Sequence, residues 1–206
     1  MRPRLYTDIH DIPLVGGHLC LDFVNTTGNR SGDQPRERFA TYPDLLMFEL
    51  RTGLITRNEF QELQRDADRH PQKATRVLKE LIEFRELLYR LLRSATAKKA
   101  PPGADFERFN RILARSLADR TLSWVDGTPR WASPAAALNQ DFLVSRLAIE
   151  CSDLLTSGTL DRLRKCGECD WLFLDQSKNR SRRWCKKACG DRVKARRYYA
   201  RQVAQA

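Results

Sequence analysis

Four cysteines stand as Cys166-x2-Cys169 and Cys185-x3-Cys189 with fifteen residues between the pairs, while Cys20 and Cys151 stand apart. Two pairs at these spacings suit one tetrahedral zinc ion, because thiolates are soft anionic ligands and each pair brings two sulfurs to one point. Gly167 lies inside the first pair and permits a tight turn, giving a zinc knuckle. The second pair is spaced i, i+4, so a helix starting near Cys185 sets both thiolates on one face of its first turn. The positive helix end there favours thiolate over thiol. Clustered cysteines also serve redox-active Cys-x2-Cys pairs, usually on a thioredoxin-type unit that this pattern lacks, and iron–sulfur centres. Four thiolates close a zinc shell and leave no position for water, so the expected role is structural. Cys20 and Cys151 read as small buried apolar residues.

The formal charge is +11, and its placement is uneven. Residues 161–206 hold 14 Lys and Arg against five Asp and Glu, a net of +9 that leaves +2 for the rest. A zinc tetrathiolate contributes about −2, so the module keeps roughly +7 and favours a polyanion. Lys178, Arg180, Arg182 and Arg183 precede Cys185, and Lys186 and Lys187 open the expected helix. Further on, Lys194, Arg197 and Arg201 recur at i, i+3 and i+7 beside Arg192 and Arg196, which makes one basic stripe. Guanidinium groups suit phosphates and reach guanine in the major groove. A solvated charged face is the plainer reading of any one such run; compact metal fold and basic excess together favour nucleic acid. Tyr198 and Tyr199 are expected to pack the helix onto the rest of the protein, with stacking on bases as the alternative.

The elements positioning these groups are mostly helical. Residues His18 to Thr26 read as a short buried helix or a strand, and Pro43 to Arg51 as a helix with Gly53 past its end. Thr56 and Glu59 have capping-box spacing and open a helix that stops before Pro71. From Pro71 to about Ala97, Val77, Leu78, Leu81, Ile82, Phe84, Leu88 and Leu91 give an amphipathic helix with the charged residues on its other face. Pro101, Pro102 and Gly103 break it, and Asp105 to Leu117 is helical again. Thr121 to Ala132 changes period around Asp126-Gly127, a hairpin signal, and Trp124 and Trp131 on its arms are expected in the core. Ser133 and Pro134 then open a helix running to about Thr156. In the finger, Trp171 to Leu174 suits a strand before a polar loop and the last helix, a treble-clef-like layout. The fold class is mainly α: a helical domain with one β-hairpin over residues 1–158, then a small α+β zinc module over 159–206 as a basic appendage.

Residues 166–201 resemble the CGNR-type zinc finger: the four cysteines, Phe173, Asp175, Arg183, Trp184, Gly190 and Arg192 match its pattern. Asp191 stands where the name-giving asparagine is expected. Gly16, Gly17 and the run Leu21-Asp22-Phe23-Val24-Asn25-Thr26 are similar to the ABATE domain that precedes this finger in bacterial stress-induced transcription regulators. The resemblance implies a DNA-binding regulator, where composition alone implies a polyanion binder.

A regulator needs an input, and the first domain is the expected sensor. Asp22 and Asn25 inside an apolar segment, with His18 and Arg30 nearby, are the candidate pocket for a small effector; capping and backbone bonding are their ordinary uses. DNA is the expected partner and RNA or the ribosome the alternative, with a homodimer compatible with paired half-sites. No catalytic Ser-His-Asp set, His-Glu-x-x-His helix, phosphate loop or dinucleotide fingerprint occurs, so no enzyme is expected. Without a leader-like or membrane-spanning apolar run, the expected location is the cytoplasm.

Overall fold

Helix ends follow local backbone chemistry closely in the computed structural model, which describes residues 9–32, 35–118, 120–132 and 140–203. The segment left open between helix and strand is helix α1 (Leu19–Val24), with Cys20, Leu21, Phe23 and Val24 buried. Helix α2 (Tyr42–Arg51) starts where the Thr41 backbone N–H donates to the Asp44 carboxylate at 2.7 Å, and Gly53 beyond its end has φ of 72°. In α3 (Arg57–Arg69) the expected capping box is complete: Thr56 N donates to Glu59 Oε2 at 2.6 Å and Glu59 N to Thr56 Oγ1 at 3.3 Å. Both ends satisfy amide groups that a helix start leaves orphaned.

Helix α4 (Pro71–Thr96) is the central column, packed by α1, α2, α3, α5 (Gly103–Ala118) and α6 (Gln140–Thr156). Of its apolar stripe Val77, Leu81, Phe84, Leu88 and Leu91 are buried and Leu78 and Ile82 half-buried, and one charged residue departs from the pattern. Arg85, expected on the charged face, is 1% exposed. Its guanidinium donates to Glu37 Oε1 at 2.7 Å and Thr26 Oγ1 at 3.1 Å, which supplies the partners a buried cation needs. Ser133 and Pro134, expected to open the helix before the finger, lie outside the described residues.

Strands β1 (Thr121–Val125) and β2 (Thr128–Ala132) form the expected hairpin, turning through Asp126 and Gly127 at φ of 49° and 74°. Two positive φ values are what a two-residue type I′ turn demands. Trp124 and Trp131 are not core residues, however: they are 75% and 59% exposed. Among the described residues β1 and β2 form a sheet of two strands only, and both tryptophans face solvent.

The zinc module is no loose appendage. After a short 3-10 turn (Leu160–Arg162), strand β3 (Leu163–Lys165) pairs antiparallel with β4 (Leu172–Leu174), a partner the sequence pattern did not supply. The other edge of β4 meets the helical body. Asn25 acts as a one-residue strand: its Oδ1 accepts from Leu172 N at 2.9 Å and its Nδ2 donates to Leu172 O at 2.8 Å. Leu174 N donates to Gly16 O at 2.9 Å, and the Trp171 indole donates to Thr27 O at 3.1 Å. Leu163, Trp171, Leu172 and Phe173 therefore join the same apolar core as α1, α4 and α6.

Asn25→Ala removes both side-chain bonds and leaves two buried backbone groups unsatisfied. A loss of about 2–4 kcal/mol in unfolding free energy is expected by denaturant titration. A second check uses Glu49, a buried α2 carboxyl that burial pushes up to about 8. A folded pKa above the unfolded one gives stability that is full below the ordinary carboxylate range and lost as pH rises through 8. Glu49→Gln is therefore expected to raise the melting temperature at pH 8 more than at pH 5.

Candidate metal centre and basic surface

The Cys166 N–H donates to Trp171 O at 2.7 Å and the Gly167 N–H to Arg183 O at 3.1 Å, which folds the first cysteine pair into a knuckle at the tip of the β3–β4 hairpin. Asp170, not Gly167, has the left-handed backbone, with φ of 63°. A Cβ on Gly167 would meet only Arg183 O, at an ordinary 3.7 Å, so the turn does not depend on that glycine. Helix α7 (Lys187–Val203) begins two residues after Cys185. Cys189 alone of the second pair lies in its first turn, where its N–H donates to Lys186 O at 3.1 Å. Cys185 is held in the preceding bend because Arg182 Nη2 donates to its carbonyl at 2.6 Å.

These elements bring the four sulfurs within 4.8 Å of one another. Cys169 and Cys185 are 3.5 Å apart, Cys169 and Cys189 3.7 Å, and Cys185 and Cys189 3.8 Å. A tetrahedron with zinc–sulfur bonds of about 2.3 Å has edges of about 3.8 Å, so the donor set fits one zinc ion. Hydrogen bonds within the cluster, first that with Cys169, hold the Cys166 thiol far below its ordinary range, while those with Cys166 and Cys169 push Cys185 up. Bound by all four residues, zinc would hold each cysteine as a thiolate. The surroundings support the ligands: Arg192 Nη2 donates to Cys189 Sγ at 3.3 Å, and Trp184 lies so close over Gly190 that a Cβ there would sit 3.2 Å from its ring. Asp175 is buried, and although burial opposes its charge, bonds from Ser177 and from Arg182 N keep its carboxyl below the usual range.

The basic residues divide into two groups. Arg180 pairs with Asp161, and Arg192 and Arg196 pair with Glu168. Arg182 lies over the Phe173 ring at 5.1 Å, and Lys186 lies over Trp171 at 4.7 Å. These five help to build the module. Lys178, Arg183, Lys187, Lys194, Arg197 and Arg201 are exposed, and from Lys194 to Val203 every residue of α7 faces solvent. Tyr198 and Tyr199 share that exposure, so they do not pack the helix against the body. Asp191 is exposed near the start of α7.

Sequence reasoning gave no role to Glu168 and Asp161, the acids that anchor three of these cations, or to Asp170, which pairs with Lys165. Their signal was simple: few acids in a basic module are favoured partners of neighbouring arginines and lysines. The four residues singled out as a pocket face different partners. His18 Nδ1 lies 3.3 Å from Cys20 Sγ, and its Nε2 lies 3.8 Å from Glu150. Asp22 accepts from Gly16 N at 2.8 Å and is pushed up to about 6 by burial. Asn25 holds Leu172, as described above. Arg30 pairs with Glu86, donates to Val24 O at 2.7 Å and covers the Tyr89 ring at 4.0 Å.

X-ray absorption of the purified protein is expected to show about four sulfur neighbours at about 2.3 Å and one zinc per chain. A shell with two or more nitrogen or oxygen neighbours would contradict the tetrathiolate.

Comparison with known proteins agrees with this geometry. The family model described as "ABATE: Putative stress-induced transcription regulator" matches residues 17–158, and that of the CGNR zinc finger matches residues 162–202. No curated protein matches the chain. Both matched families are of regulator and finger type rather than enzymes. No described helix is long and apolar enough to cross a membrane. With the finger family and the sulfur geometry in agreement, Cys166, Cys169, Cys185 and Cys189 hold one structural zinc. The chain belongs to the ABATE family, whose description is that quoted above, and carries a CGNR zinc finger after the ABATE domain.

Proposed function

We propose that this protein is a cytoplasmic bacterial transcription regulator that binds DNA through the zinc module. The observation that carries the reading is the solvent-exposed length of α7, with Lys194, Arg197 and Arg201 along it and Lys178, Arg183 and Lys187 near its base. A helix of 17 residues is about 25 Å long, enough to follow a groove, and an amphipathic packing face is missing from its outer part. Phosphate contacts supply affinity, and arginines at the helix supply any base reading. Zinc positions this surface and takes no part in chemistry. Asn25 joins α1 directly to β4, so a small effector near His18, Asp22, Asn25 and Arg30 acts on the finger through a rigid connection rather than a linker. Two copies on adjacent half-sites complete the reading.

A salt titration with a DNA duplex tests it. About six phosphate contacts give a slope of about −5 in log affinity against log salt. The double variant Arg183→Glu, Arg197→Glu, which leaves every described ion pair intact, is expected to weaken binding at least tenfold and reduce the slope by about two. Absent or salt-independent binding to DNA sinks the proposal, and tighter binding to RNA at equal salt transfers it to an RNA partner.

A further inference from the structure

A cleft of about 230 Å³ lies between the helical body and the finger, lined by Gly28, Arg36, Arg38, Cys169, Trp171 and Lys186 among others. It is below the size range of drug-like ligand sites and suits one small group. Arg38 is 8% exposed, yet its Nε has no hydrogen-bond partner among the described residues. Among the described residues its Nη1 reaches the carbonyls of Thr26 and Arg36, at a long 3.3 and 3.4 Å. A buried guanidinium with an unused donor is rare, because the lost hydration is costly unless something replaces it. Burial, and then the neighbouring Arg36, push the Arg38 pKa below its usual range, which an anion would reverse.

Glu37 and Cys169 favour the Arg38 cation, but burial and Arg36 outweigh them, and the Glu37 carboxylate is already bonded by Arg85. Glu168, the one acid in the lining, pairs with Arg192 and Arg196. Arg192, in the same lining, donates to Cys189 Sγ of the zinc tetrathiolate. Room for a ligand depends on Gly28, since a Cβ there would fall 3.2 and 3.3 Å from the two Nη atoms of Arg38. Trp171 lies between Arg38, 5.5 Å from its ring, and Lys186, and its indole ties the cleft to Thr27 of the body.

We propose that this cleft is a binding site for a phosphate group, held by the Arg38 fork with Arg36 and Lys186. Planar guanidinium donors match phosphate oxygens, and the lysine adds a point charge. The group belongs either to a phosphorylated small molecule or to a nucleic-acid backbone. In the first case the cleft is an effector site joining body and finger; in the second it extends the finger's binding track. The site does not depend on the DNA-binding reading.

Calorimetric titration of the zinc-loaded full chain with inorganic phosphate, against chloride at equal ionic strength, tests the proposal. One saturable site is expected in the parent. Arg38→Lys and the exposed variant Arg36→Ala are each expected to weaken it by about tenfold, while Arg115→Ala on α5 leaves it unchanged. Circular dichroism identifies any variant that fails to fold, and Arg36→Ala at the rim keeps the test valid if Arg38→Lys does. A second titration adds phosphate to the DNA complex at constant ionic strength. Displacement of DNA identifies a backbone-phosphate site; unchanged DNA binding with phosphate bound identifies a small-molecule site. No saturable phosphate binding, or equal binding in all variants, overturns the proposal. Loss of DNA binding with the phosphate site intact would count against the regulator reading alone.

Discussion

A strand of three residues cannot complete its own backbone bonding, and the answer found for β4 shapes the protein. One edge of β4 pairs with β3, and the other is closed by the Asn25 carboxamide and the Gly16 carbonyl. Each buried backbone group left open would cost about as much as a lost hydrogen bond. The finger is therefore completed by the helical body, and the body gains an apolar wall from Trp171, Leu172 and Phe173. Zinc performs the matching task on the far side, joining the knuckle to α7 through four sulfurs. Between these two fastenings the finger has a fixed position, while the outer part of α7 stays exposed.

That division explains why the basic residues are unequal. Cations near the zinc centre meet Asp161, Glu168 and the faces of Phe173 and Trp171, and so contribute to the architecture. Those further along α7, or at Lys178 and Arg183, meet solvent. Electrostatic attraction for a polyanion is thus concentrated on one projecting helix and the loop at its base, a small footprint with strong salt sensitivity. The buried Arg38 belongs to neither group, which is why its unused donor stands out.

Much of this was legible in the sequence, because local rules govern it. Cysteine spacing gave the metal ligands, capping signals gave the start of α3, and Asp126-Gly127 gave the hairpin. What escaped was set by tertiary contacts. The pattern of α4 placed every charged residue outside, yet Arg85 is buried because Glu37 and Thr26, distant in sequence, supply its partners. Trp124 and Trp131 look like core residues by type, but among the described residues their sheet has two strands only, too little surface to bury two indoles. Asn25 was visible as a polar residue in an apolar run; that it would imitate a strand for β4, 147 residues away, could not be read from spacing.

The central claim is that zinc arranges a basic surface which the helical body alone does not possess. The most direct test compares DNA affinity of the full chain before and after zinc removal by a chelator, at one fixed salt concentration, followed by zinc restoration. The arrangement described here predicts at least a tenfold loss on removal and full recovery on restoration. Equal affinity in the zinc-free chain, with α7 still helical, would contradict it.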